Sequence, residues 1–418
     1  MNAMKVTKYM PALEDTMTVD GLREQLVRLF AALSFIIFFQ AFMVAPLIPH
    51  LSVEFGVSEQ LIGLIVPTYM IPYGLSTLFY GLLSDRLGRR HIIYLSLSAF
   101  TVLTLLTATA HSAQQMLVWR FLTGLGASGI VPLALASVGN MFPPERRGRP
   151  LGWLFGAMAG GMAFGSSFGV MLRPYIGWRM LFVGVAVAVM PTFFALPKFK
   201  SLLDQGSKST ISVAETLEGY RGLLNNARGL RTYATVLVNS LFHSGVYTWL
   251  GVYFVRRYHL GEIGIGFALL GYGVPGFLFG PVIGRWADRW GRRWMIPFGL
   301  IIAAFSVAIL VLNIPLVEAA VAVALLSLGY DMTQPLLAGI VTQVGSKRPG
   351  QAMGLNVFIL FTGFGVGSIL FGAVAVRGFD AALLTFSAVQ TTWALAALFL
   401  FRREPATNIL HSPRQQLR

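Results

Sequence analysis

An all-α membrane protein of twelve transmembrane helices, arranged as two pseudo-symmetric six-helix halves, is the fold the sequence predicts. Three observations carry that prediction. Of 418 residues, 55% are hydrophobic and only 12% charged, with a mean hydropathy of +0.68, which places most of the chain in lipid rather than water. The apolar residues fall into runs of about 20, the length at which a helix crosses ~30 Å of hydrocarbon. A basic turn is also written twice, as GLLSDRLGRR from Gly81 to Arg90 and as GRWADRWGRR from Gly284 to Arg293.

The runs lie near residues 27–49, 61–83, 91–111, 115–141, 149–171, 178–197, 232–255, 264–284, 294–313, 317–343, 354–376 and 381–401. Each reads as a helix, because a backbone in lipid must satisfy its own hydrogen bonds within the segment. Six runs precede a polar stretch containing GSKST and six follow it. The expected organisation is a cytoplasmic N-terminal segment at 1–26, a six-helix half at 27–197, a cytoplasmic linker at 198–231, a second six-helix half at 232–402 and a cytoplasmic tail at 403–418. Residues 1–25 carry Glu14, Asp15, Asp20 and Glu24 with no apolar run, which does not suit a cleavable signal.

The net charge of +15 would suit a nucleic-acid binder, but the positions of the 32 Lys and Arg exclude it. Only Arg173, Arg179, Arg256, Arg257 and Arg377 fall in the segments of one face, and Arg120 alone lies inside a span. All the others fall on the opposite face. That asymmetry is the positive-inside pattern, and it puts both termini in the cytoplasm. The absence of cysteine excludes disulfides and thiolate metal sites.

The repeat extends beyond the basic turn. At one constant offset Ile62 matches Ile265, Gly63 matches Gly266, Tyr69 matches Tyr272 and Pro72 matches Pro275. Gly81, Asp85, Arg86, Gly88, Arg89 and Arg90 then match Gly284, Asp288, Arg289, Gly291, Arg292 and Arg293. Both copies fall on the same face after an even-numbered span, so the halves are parallel repeats about an axis along the membrane normal. At each short turn the arginines can bond the unpaired carbonyls that end one helix and anchor at anionic headgroups, with the aspartate beside them.

These residues resemble the major facilitator superfamily of secondary transporters, over essentially the whole chain. The G-x-x-x-D-R-x-G-R-R turn is similar to that family's most specific motif, and R-F-L-T-G-L-G from Arg120 to Gly126 is similar to its fourth-span motif. Val44 to Ser58 and G-W-R-M-L-F from Gly177 to Phe182 resemble the twelve-span drug:proton antiporter branch. The resemblance implies that the basic turns brace the two halves when the cytoplasmic side is closed. It also implies that spans one, four, seven and ten line a central cavity. The fifth span carries Gly152, Gly156, Gly160, Gly161, Gly165 and Gly169 without the Gly-Pro pair of that branch. Spacing by four makes small-residue faces, so Gly156, Gly160, Gly161 and Gly165 are expected to pack against neighbouring helices.

A charge in hydrocarbon is costly enough to mark a functional candidate. Asp331 near the centre of span ten, His243 in span seven and Arg120 in span four are the proton-coupling candidates, and by the resemblance they face one another across the cavity. Asn239, His243 and Tyr247 recur every four residues and share a face, as do Asp331 and Gln334 at a spacing of three. With Gln40, Tyr69, Trp249, Tyr272 and Asn356 they make up the substrate-cavity candidates. These groups are aromatic and sparsely charged, which suits small amphipathic solutes.

A mid-span carboxylate can take a proton from one face and yield it when solute arrives from the other. The expected function is therefore alternating-access, proton-coupled efflux of amphipathic or drug-like compounds from a bacterial cytoplasmic (inner) membrane. Two alternatives stay open: proton-coupled uptake of an organic acid or sugar, with Arg120 on the solute's anion, and a non-transporting sensor. No His-Glu metal pair, nucleophile elbow or phosphate loop suggests an enzyme, and no cofactor or metal is expected. The expected partners are a small-molecule substrate, protons and membrane lipid, with no nucleic acid. A monomer is expected because each chain holds a complete cavity.

Overall fold

The computed structural model describes residues 3–143, 146–204, 213–346 and 348–404, excepting the side chains of 3–19, 81, 82, 85, 213, 277, 280, 281, 284 and 288. The first half comprises α1 (Ala3–Phe42), α2 (Ile48–Phe55), α3 (Glu59–Gly63), α4 (Pro67–Leu87), α5 (Arg89–Ala108), α6 (Ala113–Ala127), α7 (Ile130–Met141) and α8 (Gly148–Ala195). Then come α9 (Lys200–Leu203) and α10 (Val213–Asn225). The second half comprises α11 (Ala227–Tyr258), α12 (Glu262–Leu269), α13 (Val274–Trp290), α14 (Arg292–Ile309), α15 (Leu316–Val344), α16 (Pro349–Ala375) and α17 (Phe379–Leu400).

Among the described residues, nine helical stretches are long and apolar enough to cross a membrane. One of them, Gly148–Leu203, holds both the fifth and sixth spans, because Gly177 at φ 76° turns the chain back within α8. Two expected spans escape a hydropathy criterion for physical reasons. The seventh, in α11, carries Asn239, Ser240, His243, Ser244 and Thr248, all buried against other helices rather than facing lipid. The eighth is broken: α12 has 8 residues and α13 has 17, with Gly273 between them at φ 79°.

Helix α1 begins at Ala3 and runs through the stretch expected as an N-terminal segment, and the stretch expected as a linker, 198–231, contains α9, α10 and the start of α11. The tail from 405 lies outside the described residues.

Glycine rows set the closest helix contacts, because a Cβ at those positions would strike a neighbouring backbone. On α8, a Cβ at Gly161 would lie 2.5 Å from the Phe35 carbonyl oxygen, one at Gly165 2.5 Å from that of Phe39, and one at Gly169 2.7 Å from Met43 Cβ. The second half repeats the device on α16, where a Cβ at Gly363 would lie 2.8 Å from Ser240 Cβ of α11. Gly160 is buried, whereas a Cβ at Gly156 or Gly152 would meet nothing within 4 Å. The expected packing at Gly156 is therefore corrected: α1 lies against the Gly161 row, and the Gly152–Gly156 row faces away from any close neighbour.

Both basic turns are built alike. Gly88 (φ 89°) and Gly291 (φ 76°) donate N–H bonds of 2.9 Å to Ser84 and Ala287 and start α5 and α14 in a conformation that favours glycine. Arg89 reaches Ser137 at 3.4 Å and, with the amide of Asn140 turned to present its oxygen, Asn140 at 3.1 Å, both on α7. Arg292 lies against Gly339 of α15, the equivalent place in its own half. Arg90 faces Asp204 at 3.5 Å, while Arg86, Arg289 and Arg293 are exposed or partly so. Gly81 and Gly284 and the side chains of Asp85 and Asp288 lie outside the described residues.

On the face opposite the basic turns the halves are tied by polar contacts. Arg173 pairs with Glu262 at 2.9 Å, and His50 lies 3.6 Å from the same carboxylate. Arg256 pairs with Glu59, and the Tyr247 hydroxyl donates a 2.8 Å bond to the Phe42 carbonyl.

Candidate functional site

Between the halves lies a continuous stack of aromatic rings, fed by both. Starting in the first half, the Arg120 guanidinium of α6 sits 4.2 Å over the Tyr69 ring of α4. Tyr69 stacks on Tyr73 at 5.8 Å between centroids, and Tyr73 on Phe361 of α16 at 4.4 Å. Phe361 meets Phe364 at 5.8 Å, and Phe364 meets His243 and Tyr330 at 6.1 Å each. His243 stacks on Tyr330 at 4.0 Å, and its Nε2 is hydrogen-bonded to the hydroxyl of Tyr272, whose ring lies 4.3 Å from Tyr247. Phe42 of α1 closes the group at 5.2 Å from Tyr247.

The polar groups of this region divide into satisfied and unsatisfied ones. Arg120 is fully buried, and its one hydrogen bond is from Nε to the Ile65 carbonyl at 3.4 Å. Its two terminal nitrogens, both amide atoms of Gln40, the hydroxyls of Tyr69 and Tyr73, and Oδ1 of Asn356 have no partner among the described residues. A buried polar group left without a partner costs about 1–3 kcal/mol and a charged one more, so this set calls for water or solute. Asn239, by contrast, is spent on structure: its amide donates to Thr333 at 2.8 Å and accepts from Gln390 at 3.0 Å.

Asp331 lies at the other end of the stack. The Ser327 hydroxyl donates to its Oδ2 at 3.1 Å, and the carboxylate lies against Gly276 of α13, where a Cβ would come within 2.6 Å of it. The three charged or titratable candidates are not in mutual contact. Arg120 meets Tyr69 and Ile65, His243 meets Tyr272 and Tyr330, and Asp331 meets Ser327 and Gly276. The expectation that they face one another is corrected accordingly, because neutral rings separate them.

Among the other cavity candidates, Gln334 is partly buried with Nε2 3.5 Å from Ser240. Trp249 lies elsewhere. Its indole N–H donates to the Ser368 carbonyl at 3.1 Å, and it lines a separate lateral crevice of about 240 Å³ with Gln60, Gly63, Leu64, Ile369 and Gly372. The residues that sequence reading missed are Tyr73, Phe361, Phe364, Tyr330, Ser327 and Gly276. Only Tyr73 carried a usable signal, being one helical turn from Tyr69 on the same face. Among the described residues no group of three His, Asp or Glu side chains is placed to hold a metal ion.

Residues 30–279 and 256–418 match the family model described as Major Facilitator Superfamily. Similar curated proteins include the MFS-type transporter YceJ of Bacillus subtilis (strain 168), 26% identical over 373 residues that cover 86% of this chain and 93% of the relative. The quinolone resistance protein NorA of Staphylococcus aureus (strain MSSA476) is 22% identical over 346 residues, covering 81% of this chain and 87% of the relative. The solved structure of the human organic anion transporter MFSD10 (TETRAN) superposes with a TM-score of 0.71 at 17% identity, covering 91% of this chain and 99% of that one.

Proposed function

The chain belongs to the Major Facilitator Superfamily and is an integral membrane transporter rather than an enzyme, and from that premise we propose that it exports small amphipathic compounds in exchange for protons. The observation that carries this reading is the ring stack, with an unpaired guanidinium at one end and a mid-span carboxylate at the other. Rings offer flat apolar solutes a large contact area at little entropic cost, and the likeness to a relative named for quinolone resistance agrees with it.

The two halves rock about this site. Asp331 takes a proton from the outer face and gives it to the cytoplasm, and solute moves the opposite way while the halves exchange which face is open. Asp331, His243 and Arg120 are the coupling candidates. Gln40, Tyr69, Tyr247, Tyr272, Gln334 and Asn356 are candidates to touch solute; Asn239 and Trp249 support the helices beside them. The setting is the cytoplasmic membrane of a bacterium, with both termini inside and one chain as the working unit.

A second reading is favoured by one observation, the two unpartnered terminal nitrogens of buried Arg120. A guanidinium in that state recognises a carboxylate or sulfonate, which suits an organic-anion solute moved inward with protons. Purified protein in vesicles with an imposed pH gradient separates the two. Export predicts that a fluorescent amphipathic cation moves against proton flow; uptake predicts that an aromatic carboxylate moves with it. If neither solute responds to the gradient, proton coupling is wrong.

A further inference from the structure

We infer that the moving part addressed by the proton is the broken eighth span, in which Asp331 caps the first turn of α13 across the break and lets go of it when protonated. The inference rests on the proposal that Asp331 carries the proton, and it names what that proton does.

The break is specified locally. Tyr272 closes a turn onto Leu269 at 2.8 Å, Gly273 adopts the left-handed conformation at φ 79°, and Pro275 follows without an N–H to offer. No side chain of the eighth span itself caps α13. The first-turn N–H groups of any helix lack intrahelical acceptors and carry the positive end of its dipole. Here α15 supplies the acceptors. Gly273 donates its N–H to Ser327 Oγ at 2.8 Å, Ser327 donates its own hydroxyl to Asp331 Oδ2 at 3.1 Å, and the carboxylate lies against Gly276 in the first turn of α13.

Position 276 admits only glycine in this arrangement, since a Cβ there would lie 2.6 Å from Cγ and Oδ1 of Asp331. A charged carboxylate accepts such bonds roughly twice as strongly as a neutral acid. Neutralising it therefore weakens the hold on α13 at the point where the chain is already broken.

The break sits between the halves. A Cβ at Gly273 would lie 2.7 Å from Ala163 Cβ of α8 and one at Gly266 of α12 3.0 Å from the Ser167 carbonyl oxygen, whereas one at Gly271 would lie 2.8 Å from Ala324 Cβ of α15. From there α13 runs to the second basic turn. Tyr272, at the break, also belongs to the ring stack and bonds His243. Solute against the rings and a proton on Asp331 thus act on the same hinge.

The first half interrupts its second span too, between α3 and α4, but without this device. The positions at the same offset from Gly273, Gly276 and Asp331 are Met70, Tyr73 and Ser128, so neither the left-handed glycine nor the carboxylate is present. The device is not required by the shared half-fold. The titratable groups that reach Asp331 are the phenols of Tyr330, on its own helix, and Tyr272, at the break. His243 of α11 contacts both phenols, and no described Lys or Arg of α13, α14 or α16 pairs with the carboxylate.

Because the chain has no cysteine, Phe267→Cys in α12 and Trp290→Cys in α13, both exposed, admit a pair of spin labels that span the break. Their separation in vesicles of phosphatidylethanolamine and phosphatidylglycerol is measured at pH 5.5 and 8, alongside pH-driven transport. The expected result is a distance distribution that shifts with pH in the parent. Asp331→Asn holds the pH 5.5 distribution at both values, Gly276→Ala does the same, and Ser327→Ala shifts only part of the population. If Asp331→Asn or Gly276→Ala keeps the parent's pH response, the inference falls. Loss of pH-driven transport in Asp331→Asn with an intact distance shift overturns the hinge and leaves Asp331 as the carrier. A distance shift locked by Asp331→Asn, in a parent that shows no pH-driven transport, upholds the hinge and overturns the coupling reading.

Discussion

Tyr247→Phe removes one oxygen atom and tests whether the opposite face is held shut by a countable set of contacts. The hydroxyl donates a 2.8 Å bond to the Phe42 carbonyl, across the two halves and in a fully buried place. Its ring keeps its stacking on Tyr272 at 4.3 Å and on Phe42 at 5.2 Å, so packing is preserved. A buried bond of this kind contributes about 1 kcal/mol net, and a carbonyl left without a donor raises the cost to roughly 1–3 kcal/mol. If the bond exists only when that face is closed, the closed-to-open ratio falls by about 5-fold to 150-fold. The Arg256–Glu59 pair offers a calibration. It is half-exposed on the arginine side, and such pairs contribute ~0.2–1 kcal/mol, so Arg256→Gln shifts the same ratio by no more than about 5-fold. Spin labels at Val53→Cys and Val317→Cys, exposed on α2 and α15 of that face, report the ratio as two distance populations. A Tyr247→Phe distribution superimposable on the parent's would refute the reasoning, as would a shift smaller than that of Arg256→Gln.

Gly165→Val places a branched side chain where a Cβ already lies 2.5 Å from the Phe39 carbonyl oxygen; α1 and α8 must separate, and thermal unfolding in detergent drops by far more than for Gly156→Val, which meets nothing within 4 Å. Burial opposes ionisation of Glu404, but Arg228 at 2.7 Å and Arg231 outweigh it and hold the carboxylate below its ordinary range. A depressed folded value means stabilisation that is complete above the unfolded value of ~4.3 and disappears as pH falls through the folded one; the gap in thermal stability between the parent and Glu404→Gln is therefore wide at pH 7 and closes towards pH 3. Asp331→Asn retains solute binding and counterflow but loses accumulation driven by a pH difference; full retention of pH-driven transport for one neutral and one cationic solute removes Asp331 from the coupling role and makes His243 the next residue to replace.

The charged groups of the site were legible in the sequence and several of their partners were not, and the difference has a physical cause. Arg120, His243 and Asp331 stand out because each is expensive in hydrocarbon, whatever surrounds it. The groups that decide what they do are inexpensive and common: Ser327 and Gly276 around Asp331, Tyr272 and Tyr330 around His243, Tyr69 around Arg120. Ser327, Gly276 and Tyr330, set among long apolar runs, carry no mark of their own, whereas Tyr69 and Tyr272 stand out through their repeat at one offset. The same limit governs the helices. Runs of about 20 apolar residues announce spans that face lipid, whereas the span within α11, rich in buried polar side chains, is passed over by hydropathy because it is packed against other helices.

Spacing behaves likewise. Four-residue glycine rows identify faces on the fifth span, but only the position of α1 decides that Gly161 and Gly165 are buried contacts and Gly156 is not; likewise Gly363 and Gly367 on α16 become contacts because α11 lies against them. What a residue costs is written at its own position, while what it is for depends on which helix the fold brings alongside. Asp331 shows the consequence most directly: its price in lipid is a property of span ten, while the glycine its carboxylate lies against, Gly276, belongs to span eight.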